Sequence, residues 1–292
     1  MKIFQTFGLA ALAALLVTLI GCGSAPRSGT AEKPVLLVVS FGTSFDDTRE
    51  KTIGAIEKAL AAAYPDYEQR RAFTSQIIID KLAKEEGIKI DNVQQAMKRL
   101  VRDGVKEVVV QPTHVMNGEE YDSVIEAVEP FEKRFTRIKY GQPLLITDVD
   151  YNAVIDTIVD ETAPYADDHT AFVFMGHGTE HSANATYAKL GQMLKDRGLS
   201  RYYVGTVEAS PSLDDVLAEL KKTDGITRVV LSPLMIVAGD HANNDMAGDE
   251  PDSWKTIMES EGYEVTPVLK GLGEYPGIQR VFVRHAGQAM TL

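Results

Sequence analysis

The sequence predicts an α/β protein of two similar lobes, each a parallel sheet of about four strands flanked by helices. Three observations predict it. Apolar strand-like runs alternate with amphipathic stretches of helical length, the pattern of parallel sheets covered on both faces. The strand cores are continuous apolar runs rather than in-and-out alternations, as burial on both faces requires. The second half of the chain also repeats the order of events of the first.

Val35-Leu36-Leu37-Val38-Val39 is the first buried strand, and Asp46 to Ala63 follows as a helix with Ala and Leu inside it. Val108-Val109-Val110 and Leu144-Leu145-Ile146 are further expected strand cores, with helices near 92–102 and 119–134. In the second half, Phe172-Val173-Phe174-Met175 is a strand, 184–197 a helix and 202–206 a strand. Then come a helix over 213–222, a strand over 229–231, a last strand over 265–269 and a closing helix over 276–290.

The halves match in detail. Val109-Val110-Gln111-Pro112 precedes Asn117-Gly118-Glu119-Glu120, as Val230-Leu231-Ser232-Pro233 precedes Ala238-Gly239-Asp240-His241. Pro112 and Pro233 are 121 residues apart and so are Gly118 and Gly239, so no gap is needed. Phe41-Gly42-Thr43 likewise resembles His177-Gly178-Thr179, each directly after a strand. An internal duplication accounts for this, with two lobes facing across a cleft; chance likeness between generic strand–turn–helix units is the alternative. The expected lobes are 34–149 and 150–292.

Residues 1–22 stand apart. Met1-Lys2 is weakly basic, and Ile3 to Ile20 is apolar except for Gln5, Thr6, Gly8 and Thr18. That fits the core of a secretory signal, with a membrane anchor as the competing reading because the stretch nears spanning length. Leu19-Ile20-Gly21-Cys22 has the form of a bacterial lipobox, which favours cleavage. Cys22 is the only cysteine in the chain, either acylated as a lipid anchor or discarded by ordinary cleavage nearby. Residues 23–33 read as a flexible tether, and the expected location is the periplasm.

Net charge is −12. Without clustered Lys and Arg, a nucleic-acid partner is excluded. No GxxxxGK[ST] occurs, and Gly176-x-Gly178 lacks the third glycine of a dinucleotide fingerprint, so no nucleotide is expected. Gly42-Thr43-Ser44 lacks the elbow of a serine hydrolase. A homo-oligomer is left open.

The chemistry concentrates on histidines. His177 lies in a glycine-flanked turn just after a strand, where a ligand can approach the backbone closely. Glu208 ends the strand region 202–207, and His241 follows the strand ending near Leu231. In open parallel sheets, ligand groups come from loops at the carboxyl ends of strands, so one rim of lobe two carries three potential ligands. Two imidazoles and a carboxylate suit borderline divalent metals such as cobalt, iron, nickel or zinc. Three protein ligands leave the site open. Structural turn residues are the alternative on spacing alone.

At these residues the sequence resembles the anaerobic-type sirohydrochlorin cobaltochelatases, within the class II chelatases that include ferrochelatases. The matching motifs are Ser40-Phe41-Gly42-Thr43-Ser44, Gln111-Pro112-x-His114 with Asn117-Gly118-Glu119-Glu120-Tyr121, and Met175-Gly176-His177-Gly178-Thr179. Val207-Glu208 and Ala238-Gly239-Asp240-His241-Ala242-Asn243-Asn244-Asp245-Met246 complete them. They cover the chain from about Lys33 to its end. The resemblance implies two lobes with parallel four-stranded sheets. It implies ATP-independent insertion of a divalent metal, cobalt or iron, into sirohydrochlorin or a related tetrapyrrole lying between the lobes. It also implies that His177, Glu208 and His241 bind the incoming metal. The export segment is a departure, because such enzymes usually serve cobalamin or sirohaem synthesis in the cytoplasm. A non-enzymatic periplasmic carrier of metal or tetrapyrrole is the second reading. His114, which the duplication pairs with Met235, is either a packed loop residue or the axial ligand of a bound haem. His169, His181 and His285 are expected at the surface, with His181 also suited to the cleft lining.

Overall fold

In a computed structural model the described residues are 33–291, so the signal and lipobox expectations and the tether before Lys33 lie outside them. The first half runs β1 (Val35–Ser40), α1 (Asp46–Arg49), a π-turn into α2 (Ala55–Ala63), β2 (Glu68–Phe73) and α3 (Gln76–Glu85). It continues with α4 (Val93–Arg102), β3 (Glu107–Pro112), α5 (Glu119–Val128) and β4 (Arg137–Tyr140). The second half runs α6 (Asp148–Thr162), β5 (Thr170–Gly176), α7 (Ala185–Asp196), β6 (Tyr202–Thr206), α8 (Leu213–Leu220) and β7 (Arg228–Pro233). It closes with α9 (Trp254–Ser260), β8 (Glu264–Pro267) and α10 (Pro276–Thr291).

The two sheets have the same order, β2-β1-β3-β4 and β6-β5-β7-β8, and every pairing is parallel. The central strands β1 and β5 are buried along their whole length, which is why both read as unbroken apolar runs. The edge strands differ. Glu68-Gln69-Arg70-Arg71 opens β2 and Arg-Ile-Lys-Tyr makes up β4, both only partly buried, and charge on an edge blocks pairing with further strands. These two strands, with α3, α6 and α9, escaped the sequence pattern. Leu144 and Leu145 are correctly expected in the core but are not a strand. They follow β4 as bends, held by backbone bonds to the carbonyls of His114 and Val115.

Successive residues of a strand point to opposite faces, and this period of two sorts the core. Leu36 and Val38 of β1 share one layer with Phe172 and Phe174 of β5, packed with residues of α2, α6, α7 and α10. Val35, Leu37 and Val39 face outward to α4 and α5, while Ala171, Val173 and Met175 face α8 and α9. One helical layer therefore lies between the sheets and is common to both.

The expected boundary at 149/150 falls in the first turn of α6, and α10 packs on α2 and α6 and reaches β3 and β4. Tyr64 donates to the Val283 carbonyl at 2.6 Å, and Arg137 bonds the Met290 carbonyl. The described residues form one compact unit.

The start of α6 is tied to α10 by a buried polar knot. Thr147 and Asp150 form a capping box, the carboxylate receiving the Thr147 amide and hydroxyl at 2.7 Å each. Its other oxygen accepts from Arg284 and from His285 Nε2 at 2.8 Å. His285 is thus not a surface residue, as expected from sequence, but 3% exposed, with Nδ1 against the Gln142 carbonyl at 3.1 Å. Burial alone would raise the Asp150 pKa, but the Thr147, His285 and Arg284 donors outweigh it and hold the carboxyl at about 2.

A depressed pKa stabilises the fold above the ordinary carboxylate range and loses that stabilisation as pH falls through the folded value. Asp150→Asn is therefore expected to cost about 2 kcal/mol at pH 7. The gap to the unsubstituted protein should shrink between about pH 4 and about pH 2. Chemical denaturation across that range checks it; a gap independent of pH would contradict this account.

Candidate metal centre

The centre is built at the carboxyl ends of β5, β6 and β7. Past Gly176, the strand pairing continues for two residues: the Val207 amide donates to the Gly176 carbonyl at 3.0 Å and the Glu208 amide to the His177 carbonyl at 2.9 Å. His177 and Glu208 are thus backbone neighbours on adjacent strand tips. Gly178 then turns away at φ +88°, where a side chain would be strained. A β-carbon there would also lie 2.8 Å from the Ala209 amide nitrogen. Gly176 is required for a different reason, since its added β-carbon would fall 2.2 Å from the buried ring of Tyr187. Asn184 braces both loops, accepting from the Thr179 amide at 3.1 Å and donating to the Ser210 carbonyl at 2.7 Å.

His241 arrives from the third tip, just ahead of a π-turn over Ala242–Met246. The donor atoms of His177, Glu208 and His241 all lie within 4.8 Å of one another. The two imidazoles meet edge to face with centroids 4.6 Å apart at 82°, and His177 Nδ1 is 3.6 Å from Glu208 Oε2. Three donors on one ion, at bonds of about 2.0–2.2 Å, lie about 3.3–3.8 Å from one another. Side-chain shifts of about an ångström close the set. All three residues are at least partly exposed, so the ion has an open approach.

The tautomers follow from the acceptors. His177 Nδ1 faces the Gly178 carbonyl at 2.8 Å and His241 Nδ1 faces the Asp245 carboxylate at 2.6 Å. An oxygen that only accepts requires N–H opposite it. Both rings therefore carry hydrogen on Nδ1 and present the Nε2 lone pair, the arrangement that orients and strengthens a histidine ligand. Asp245 was not singled out from sequence, although its spacing of four residues from His241 in a helical turn is the readable signal.

The structure brings together the three residues expected to bind metal and places the other histidines elsewhere. His114 is 8% exposed, and neither ring nitrogen is accessible or hydrogen-bonded. Burial lowers its pKa to about 4, so the ring is neutral. A haem iron needs a ring nitrogen presented to open space, which His114 does not offer as folded. His181 lines the cleft, its Nδ1 accepting from the Ala183 amide and its Nε2 lying 3.5 Å from Asp122 of α5 in the other lobe. His169 is exposed, as expected.

Comparison with known proteins agrees with this geometry. The family model described as cobalt chelatase (CbiK) matches residues 34–291. A sirohydrochlorin cobaltochelatase of Salmonella typhimurium is 44% identical over 89% of this chain and 97% of its own length. The sirohydrochlorin cobaltochelatase CbiKC of Nitratidesulfovibrio vulgaris is 32% identical over 89% and 91%. Among solved structures, SirB from Bacillus subtilis aligns with a TM-score of 0.60 at 15% identity, over 88% of this chain and 95% of that one. CbiX, the terminal enzyme of sirohaem biosynthesis in denitrifying bacteria, aligns at 0.54 and 14%, over 87% and 99%. At such identities the likeness concerns the fold.

If the cluster binds a divalent ion, His241→Ala should abolish most Co2+ binding in calorimetric titration. Asp245→Asn, which leaves the three ligands in place, should weaken it by about 10–100-fold. Co2+ affinity unchanged in His241→Ala would exclude the site.

Proposed function

The chain belongs to the cobalt chelatase (CbiK) family, and on that footing we propose that it is a metal chelatase inserting a divalent ion into sirohydrochlorin. The observation that carries the reading is the open His177–Glu208–His241 set on one rim of the cleft. Insertion replaces two pyrrole N–H protons by one M2+ and strips the ion of its remaining water. With one carboxylate and two neutral imidazoles, the ion and its three ligands carry one net positive charge, which the Asp245 carboxylate bonded to His241 balances.

The donor set supports a simple exchange. Each Nε2 lone pair that releases the ion to a ring nitrogen becomes free to take up a proton there. Asp245 and the Gly178 carbonyl keep both rings aimed during the exchange. Glu208, on the most exposed tip of the three, relays protons to solvent. No thiolate is present among these ligands to hold the ion against release. The reaction needs no nucleotide in this scheme. Cobalt is the proposed ion, on the names of the relatives; iron suits the same donors. The intact donor set and the family favour catalysis over the carrier reading.

We also place the protein in the periplasm, held to the membrane through Cys22. The support is the apolar run ending in Leu19-Ile20-Gly21-Cys22; among the described residues no helix is long and apolar enough to cross a membrane.

Absorbance should show cobalt entering sirohydrochlorin over many turnovers with the unsubstituted protein. The rate should fall by at least about 100-fold in His177→Ala and His241→Ala, as for loss of groups acting in the transition state. Wild-type rates in both variants would refute the mechanism. Metabolic labelling with a fatty acid should mark the full-length protein and not Cys22→Ser; equal labelling would remove the anchor.

A further inference from the structure

Hydrogen bonding past the strand ends aligns the two lobes residue by residue. The carbonyls of Gly176 and His177 accept from Val207 and Glu208; in the first lobe those of Ser40 and Phe41 accept from Thr74 and Ser75 at 2.9 and 3.2 Å. Gly42 follows at φ +102° as Gly178 does at +88°. Phe41 thus stands in the place of His177 and Ser75 in that of Glu208. The 121-residue offset puts Glu120 in the place of His241. None of the three serves a metal there. Ser75 caps α3 through the Ile78 amide, and Glu120 accepts from the Thr74 hydroxyl at 2.9 Å.

Contacts across the cleft obey the same correspondence. A β-carbon added to Gly239 would lie 3.9 Å from Thr43 Oγ1, and one on its counterpart Gly118 would lie 3.5 Å from Ala183 Cβ. Each first-strand tip loop therefore meets the third-strand loop of the opposite lobe, and Phe41 and His177 take equivalent places on facing walls. Phe41 is 46% exposed, and Phe45 at the start of α1 (40%) and Ile77 in the first turn of α3 (80%) are exposed too. Large apolar side chains left exposed just past the β1 and β2 tips are what a binding surface presents.

We infer that Phe41, flanked by Phe45 and Ile77, is the platform on which the tetrapyrrole ring lies, opposite the metal carried by lobe two. The inference rests on the chelatase reading. A flat conjugated macrocycle stacks on an aromatic ring by the same forces that hold nucleobases on aromatic side chains. The duplication has then divided the work: one lobe keeps the imidazole for the ion, and the other holds an aromatic ring for the macrocycle.

The test is steady-state insertion of Co2+ into sirohydrochlorin, with metal-free sirohydrochlorin binding followed by absorbance titration. Phe41→Ala should raise KM and Kd for sirohydrochlorin about tenfold, leave Co2+ affinity unchanged and alter kcat much less. Phe41→Trp and Phe41→Tyr should restore KM to within about threefold of the unsubstituted value, which a general loss of folding would not allow. A KM within about twofold of the unsubstituted value in Phe41→Ala overturns the inference. So does a fall confined to kcat, or no rescue by the aromatic variants. If the unsubstituted protein binds sirohydrochlorin through Phe41 yet inserts no metal, the chelatase reading fails and the platform stands. Absence of any sirohydrochlorin binding removes both.

Discussion

The site depends on two backbone hydrogen bonds beyond the end of a strand, from Val207 to Gly176 and from Glu208 to His177. They keep the β5 and β6 tips in register one step further than the sheet itself needs, and so set an imidazole and a carboxylate side by side, His177 Nδ1 lying 3.6 Å from Glu208 Oε2. Everything else at the rim protects that register. Gly178 releases the chain from it at a positive φ, Gly176 makes room for Tyr187 beneath it, and Asn184 ties the loops that leave it. A ligand pair fixed by backbone is stiff, whereas His241 comes from a separate tip and is aimed by a side chain, Asp245. The set is thus held in two ways, by backbone at two tips and by a side-chain hydrogen bond at the third.

The duplicated architecture shows how one scaffold supports two chemistries. Strand order, parallel pairing and the glycine after the first tip are the same in both lobes. What differs is three side chains at equivalent points: Phe41, Ser75 and Glu120 against His177, Glu208 and His241. Metal binding needs all three donors together, so the difference at the tip residues leaves it to one lobe without touching the sheet below. Binding sites borne on strand-tip loops change faster than the layers that carry them.

The same distinction decides what the sequence reveals. β1, β5 and β7 are legible because burial on both faces leaves only apolar residues. The three ligands are legible because each stands in the loop after a strand that reads as an apolar run. β2 and β4 are not, because an edge strand is free to carry Glu68, Arg70, Arg71 or Lys139, and nothing in that composition marks pairing. Leu144 and Leu145 show the converse: burial alone is readable, but a buried bend and a buried strand use the same residues. His285 and Asp150 lie 135 positions apart, and only the folded chain reveals that two polar residues are buried against each other. Asp245 was within reach of the pattern. The pairing of His114 with an apolar Met235 already hinted at a packed histidine.

The return of α10 to the first sheet bears on how the chain acquires its structure. The layer between the sheets includes Ile278, Val281 and Phe282 beside Leu36 and Val38, and Asp150 takes two of its donors from Arg284 and His285 on α10. The first sheet is thus completed by residues from the far end of the described chain. Contacts of such long sequence separation are slow to close. Folding of this layer is expected to be a late and concerted event that joins both sheets at once.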